Sequence, residues 1–542
     1  MSCLAPSTSL QSTERINQGA VSCESQLQRY VSFCHAYWLV SEHGPSCIMP
    51  RICSSPHSVS IHILDDDSLL NVFHLYRPFL LGEDDDNDAY LLGGKGGWIR
   101  GRWWYRLAHV CQRWRAIIYG SAFYLGISLV CTKGTPVADM LADSPSLPLV
   151  IDYSLKYDDI TAEDEERVIL ALKQRDRVRR VRLDMPVTSL RKLIVAMDEE
   201  YPILEHLIVI PRIKDINTIL MFRDTFQAPH LSHLTLSGFI LPIGSRLLTT
   251  AANLVTLHLI MTHPSTYFYP NTLLRWVSFM PKLETLVIIF SLPVFNRDVE
   301  MQLTHTPIMA PVALPNLHRF TFRGFITYSE GLVHQIITPH LEKLQIDFFF
   351  NQLTFSVPRL LEFMNTIENP RFDSAVFKFS NGRVDVEAYP RGQTEMLALS
   401  IVVDCWHLDW QVSSVAQISD SLSPMFSTVE HLALEHEVHN WSSEEHNEVD
   451  HTEWRRLLNS FRHVKTLRID NGLIGGLSHC LEVDDGEPRF ELLPELQELT
   501  YSGGGSTGDS LASFIDARLN TGRPITLVRQ SANVDQANQC PL

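Results

Sequence analysis

The sequence predicts an α/β chain: a short helical segment near the N-terminus, then an irregular solenoid of parallel strands returned by helices. Three observations carry this reading. A six-residue pattern, apolar-x-x-apolar-x-apolar, recurs from Val178 to Tyr501. Stretches with helical apolar spacing separate many of its copies. Two more helix-period stretches lie ahead of the first copy, between Ile61 and Tyr119.

Residues 1–58 are rich in serine and small polar residues, with Pro6, Pro45, Pro50 and Pro56. They read as a disordered extension. In the helical segment, 59–135, the first half sets Leu69, Val72, Phe73 and Tyr76 on one stripe. Asp65, Asp66 and Asp67 stand where they complement the positive end of that helix. The second half repeats the stripe with Leu107, Val110, Cys111, Trp114 and Ile117 or Ile118, as one helix with Arg106, Gln112, Arg113 and Arg115 opposite. Between them, at about 77–102, acids and then glycines (GEDDDND, LLGGKGGW) read as an exposed loop. GGKGG lacks the Lys-Ser/Thr spacing of a phosphate loop.

The repeat region, 136–528, begins with the copies at Val178, Leu204, Leu231, Leu254, Leu283, Leu317 and Leu341, spaced by roughly 23 to 35 residues. Further copies start at Val429, Val464 and Leu496. The second and third apolar positions of each copy point to the core and the residue between them points away. That outward row is Arg182, Ile208, Thr235, His258, Val287, Thr321, Gln345, Ala433, Arg468 and Thr500. Helices are expected at 189–200, 272–280, 331–337, 453–461 and 510–519. Prolines 202, 229, 281, 315, 339 and 494 mostly precede a strand, where they end a helix without removing a ladder hydrogen bond. At about 348–424 the unit breaks. VFKFSNGRVDVEAY alternates around Asn381-Gly382, a hairpin signal, and LALSIVVDCWHLDW is another strand-like run. An irregular antiparallel insert is expected there, with GRPITLVR as a C-terminal cap and 529–542 as a flexible tail.

Composition limits function. Lys+Arg 45 against Asp+Glu 62 gives 45 − 62 = −17, which argues against a general binder of nucleic acid or anionic membrane. The ten cysteines show no paired or zinc-ribbon spacing. No run of about 18 uncharged apolar residues offers a membrane span, and the N-terminus lacks a signal-peptide pattern. A cytoplasmic or nuclear protein is expected. His431, His436, His439, His446 and His451 sit among glutamates but span a strand, a loop and a helix start, so they read as a solvated acidic region and not as a metal site. Gly503 to Asp509 reads as a turn and helix cap. Neither a metal nor a cofactor is predicted, and no catalytic constellation stands out.

Leu64-Asp65-Asp66-Asp67, Leu69-Leu70-Asn71-Val72-Phe73 and Val110-Cys111-Gln112-Arg113-Trp114-Arg115 together resemble the F-box, and the region behind them resembles the leucine-rich-repeat-like part of fungal F-box proteins. Asp65 stands where that family usually has proline. The resemblance implies a substrate-receptor subunit of a cullin-RING (SCF-type) ubiquitin ligase. Leu64, Leu69, Leu70, Val72, Phe73, Leu107, Val110, Cys111 and Trp114 would then pack the helices and meet a Skp-type linker, itself carried on a cullin scaffold. The repeat array would hold a protein substrate on its concave face, through Arg182, Thr235, His258, Thr321, Gln345 and Arg468. The other reading is a leucine-rich-repeat protein-binding scaffold with no ubiquitin-ligase link.

Overall fold

The structure is a computed structural model that describes residues 63–76, 103–122, 124–143, 147–154, 160–212, 219–291, 310–349, 355–367, 371–390, 399–437, 450–481, 492–502 and 511–530. The extension at 1–58, the acidic and glycine-rich stretch, and the Gly503–Asp509 run lie outside these. The chain divides into two units, Met1–Ser128 and Leu129–Leu542.

In the first unit, helix α1 (Asp66–Tyr76) buries Leu69 and Phe73. Asp65 starts it: its carboxylate accepts from the Ser68 amide at 2.7 Å, a cap that proline could not supply. That hydrogen bond holds the Asp65 carboxyl below the usual range. The second half is two helices and not one, α2 (Trp103–Ala108) and α3 (Gln112–Gly120). Cys111 is extended, with φ −159°, and its thiol caps α3 by accepting from the Trp114 amide at 3.5 Å. The apolar spacing therefore runs through a cap, which leaves Val110 58% exposed. Trp104, buried on α2, takes the anchoring place instead.

In the second unit, sixteen strands form one sheet among the described residues. The first nine run in chain order: β1 (Leu129–Cys131), β2 (Leu149–Ser154), β3 (Val178–Pro186), β4 (His206–Arg212), β5 (His233–Ser237), β6 (Thr256–Met261), β7 (Thr285–Phe290), β8 (Arg319–Gly324) and β9 (Lys343–Phe349). All eight of these pairings are parallel. The sheet starts at Leu129, earlier than 136, because LVC is a continuous buried run and LVIDYS begins with one, Leu149 to Ile151, which the six-residue pattern misses.

The insert follows: β10 (Ser374–Ser380), β11 (Arg383–Tyr389) and β12 (Leu399–Asp404). They enter the sheet in reversed order, so that β12 lies on β9, β11 is central, and β10 meets β13 (His431–Glu437). Only β11 is antiparallel to its neighbours. Gly382, with φ +100°, makes the hairpin turn in the left-handed region. The run after β12 is not strand throughout, since a helix begins at Leu408. Parallel strands β14 (Thr466–Asp470), β15 (Glu498–Ser502) and β16 (Thr526–Gln530) complete the order. Arg529 and Gln530 therefore belong to a strand and not to a tail.

Helices return the chain. Val187–Ala196, Pro270–Val277, Ile326–Val333, His451–Asn459 and Ala512–Asn520 occupy the expected places, shifted by a few residues. Ala162–Leu172 and Asn471–Leu481 were not legible as helices. Their apolar faces cover one side of the sheet. Phe379 meets Trp454 edge-to-face at 5.7 Å, and Phe322 stacks on Tyr328 at 5.6 Å. The paired apolar positions on that side, such as Leu207 and Val209 or Leu257 and Leu259, are fully buried. Burial of each is worth about 1.5–3 kcal/mol, so the packing between sheet and helices dominates stability. No described helix is long and apolar enough to cross a membrane.

Candidate functional site

With the apolar residues turned toward the helices, every second strand residue faces the other way. Strand register then decides whether those residues line up. They do. Asp152, Arg182, Ile208, Thr235, His258, Val287, Thr321 and Gln345 are successive partners across β2 to β9. Ser400, Glu387 and Val376 carry the row through the insert. Ala433, Arg468, Thr500 and Val528 finish it. All six predicted substrate-contact residues therefore share one line. Ser400, Glu387 and Val376 were missed because the insert has no six-residue unit. The alternation of Val384, Val386 and Ala388 with Asp385 and Glu387 is the signal that would have found Glu387.

The row is not uniformly solvated. Arg182, Ile208, Thr235, His258 and Val287 are each under 9% exposed, whereas Thr321, Gln345 and Ala433 are half-buried and Arg468 is exposed. Longer side chains flank the buried part on the neighbouring row, among them Arg180, His206 and His233. The rings of His206 and His233 stack at 4.2 Å.

Charge is distributed unevenly along this polar face. The β3–β8 part carries Arg180, Arg182, Arg212, Arg319, Arg323 and three histidines against one acid, Asp184, which pairs with Arg212 at 3.2 Å. Burial, with Arg180 and His233 beside it, pushes His206 down to about 2. Burial, then His233 and Arg319, pushes His258 down to about 4. Both ring nitrogens of His258, and the Nε of Arg182, have no hydrogen-bond partner among the described residues.

From β9 to β14 the face is acidic: Asp347, Asp385, Glu387, Asp404, Glu435 and Asp470. Burial pushes Asp347 up to about 6, and Asp404 and Asp385 add to the rise against the pull of Arg323. Burial also raises Asp385, one of whose oxygens is buried without a partner. The other acids are partly paired: Asp404 with Arg323 at 2.8 Å, Glu387 with Lys378 at 2.8 Å and with Tyr389. No group of three or more His, Cys, Asp or Glu side chains among the described residues could hold a metal ion.

In the first unit the nine F-box-like positions separate by role. Leu69 and Phe73 are buried, and Phe73 meets Trp114 edge-to-face at 4.8 Å. Leu64, Leu70, Val72, Leu107, Cys111 and Trp114 are half-buried, and Val110 is exposed. Arg113 fastens the segment, donating to Asp66 at 2.9 Å and to the Leu64 carbonyl at 2.6 Å. Leu75, 64% exposed, was not among the predicted positions.

No protein-family model matches the chain, and no curated protein matches it. Among solved structures, the leucine-rich repeat-containing protein LegL7 from Legionella pneumophila is similar at 13% identity and a TM-score of 0.24, covering 62% of this chain and 90% of that one. What this chain has is a long, mostly parallel sheet with its apolar side under helices, and its polar side carries the candidate site.

Proposed function

We propose that the chain is a non-catalytic receptor: the polar face of the sheet holds a protein partner, and the F-box-like segment docks on a Skp-type linker of a cullin-RING ubiquitin ligase. The observation that supports the receptor reading is the row running in register from Asp152 to Val528, with unpaired polar atoms along it.

The ligase reading rests on the resemblance of residues 64–73 and 110–115 to the F-box. Leu69, Phe73 and Trp114 serve as internal packing in that reading. The contact to the linker falls to Leu75 and Val110, which are exposed, helped by the half-buried Leu70, Val72 and Leu107. The burial of Leu69 and Phe73 equally favours the second reading, a repeat scaffold with no ligase link. Affinity capture of purified linker and cullin separates the two. The unaltered chain should retain both, and Leu75→Asp combined with Val110→Asp should lose at least tenfold of that capture. Equal capture by both chains, or capture by neither, removes the ligase role and leaves the scaffold.

A further inference from the structure

Resting on the receptor reading, a finer feature of the partner can be argued from the two ends of the polar face. At one end, His258 is 4% exposed and lies on the side of the sheet away from the helices, yet neither ring nitrogen has a hydrogen-bond partner among the described residues. Arg182 is 7% exposed with its Nε in the same condition. Buried polar groups are almost always hydrogen-bonded, and an orphan costs stability. The Nε–H of Arg182 and the one N–H of the neutral His258 ring are donors that lack an acceptor, and the other ring nitrogen is an acceptor in the same condition. Arg319, half-buried and in no ion pair among the described residues, acts electrostatically on His258.

At the other end the shortage is reversed. Asp385 has a buried oxygen with no donor, and its nearest cation, Arg383, stands off at 3.3 Å from the other oxygen. Glu435 is 3.8 Å from Arg468. Asp347 takes only a 3.5 Å contact from Gln345. The buried Asp385 oxygen is an acceptor that lacks a donor, and Asp347 and Glu435 are held by one long contact each.

We propose that the polar face is a bipolar docking surface for an extended segment of a partner protein, which sets an Asp or Glu over His258 and Arg319 and a Lys or Arg over Asp347 and Asp385. Between β6, which carries His258, and β11, which carries Asp385, the order β6-β7-β8-β9-β12-β11 has five strand steps. At about 4.8 Å per step this is about 24 Å, and an extended chain covers it in about seven residues. The acid and the base therefore stand six to eight residues apart in the segment. Ile208, Val287 and Ile289 on the same face favour an apolar residue beyond the acidic end or between the two charges. Opposite charges at the two ends also fix the direction of the segment, because a reversed peptide meets like charge twice.

The test is selection of random 16-residue peptides on the immobilised full chain, followed by fluorescence anisotropy on those recovered. Enriched peptides should carry an acid and a base six to eight residues apart. Arg319→Glu should weaken them at least tenfold, and replacing the peptide's acid by Lys should restore binding to that variant. Asp385→Lys should be rescued in the same way by replacing the base with Glu. Both variants are checked for unchanged circular dichroism and melting, and the charge-swap rescue itself shows that the face still folds. Recovered peptides that are lost on polar-face substitution but show no such charge pair would overturn the bipolar pattern and leave the receptor reading standing. No recovered peptide, or peptides indifferent to both variants, would overturn the two together.

Discussion

His258 gives the sharpest test of how the polar face is built. Its imidazole is 4% exposed, without partners among the described residues, and beside His233 and Arg319. In the unfolded chain it takes a proton near 6.5, and in the folded chain only near 4. The unfolded state thus binds more protons between those values, and stability must fall as pH falls through that window. With the two values inserted, the loss from this one residue between pH 7.5 and pH 5 is about 2 kcal/mol. His258→Leu removes the titration and the orphaned nitrogens together, at similar volume. Urea unfolding followed by far-ultraviolet circular dichroism at both pH values should show the unaltered chain losing about 2 kcal/mol more than the variant over that range. At pH 7.5 the variant should be the more stable, since replacing orphaned polar atoms by apolar ones recovers about 1–3 kcal/mol. Equal acid sensitivity in the two chains would mean that His258 is hydrated or hydrogen-bonded, and the argument from its unpaired ring nitrogens would fail with it.

Asp347 should show the opposite sign. Its folded value of about 6 lies above the ordinary 3.8, so the stability it contributes is present below pH 3.8 and lost as pH rises through 6. Asp347→Asn should therefore raise the urea midpoint at pH 7.5 and leave it nearly unchanged at pH 3.5. The gain should be on the order of 1 kcal/mol, because the side chain is partly open to water. Gln411 is fully buried and donates to the Ser380 carbonyl at 2.9 Å and the Cys405 carbonyl at 2.8 Å, tying the hairpin turn to the end of β12. Gln411→Ala strands both carbonyls and should cost about 2–4 kcal/mol in thermal or urea unfolding. Faster hydrogen exchange should appear first at 381–383. Gly382→Val places a β-branched residue at φ +100° and should destabilise the same turn by about 1–3 kcal/mol, read from the same melts.

Much of this architecture was legible because strands have a period of two. Once Leu207 and Val209 are assigned to the core, Ile208 must face away. The same logic places Thr235, His258 and Gln345 on one side with no knowledge of the partner strands. What a local pattern cannot carry is the order of strands. VFKFS and VDVEAY announce a hairpin, but nothing in them says that the hairpin enters the sheet backwards and brings Glu387 into line with Ser400 and Val376. Continuous buried strands such as Leu129–Cys131 fall outside any alternating template. Asn471–Leu481 hid behind its three glycines, and tertiary packing of Leu473, Ile474 and Leu477 overrides their weak helix propensity. The Cys111 cap was invisible because its neighbours have helical spacing on both sides. Burial of Arg182 and His258 was hidden for a different reason. It depends on the length of the side chains one row away, and so on register.

The reversed insert adds charge of both signs to the polar face without disturbing the direction of the sheet. Strands β9, β12, β10 and β13 all point the same way, and only β11 opposes them. Without β10 and β11, β12 would lie parallel to β13 as an ordinary successor, with the helix at Leu408–Ser421 as its return. The hairpin is thus a two-strand insertion that keeps the direction of the sheet, because an even number of alternating strands restores it. Its core side supplies Phe377 and Phe379, which meet Phe461 and Trp454. Its polar side supplies Lys378, Asp385 and Glu387. The regular strands before it bring arginine and histidine to the same surface, at positions set by the repeat. The regular strands β3 to β8 bring mostly base to that surface, with Asp184 beside Arg212 as the one acid on it. Asp347 on β9, Glu435 on β13 and Asp470 on β14 add acid from the regular strands, the hairpin sets Asp385 and Glu387 between them, and a partner's direction can be read against the two signs.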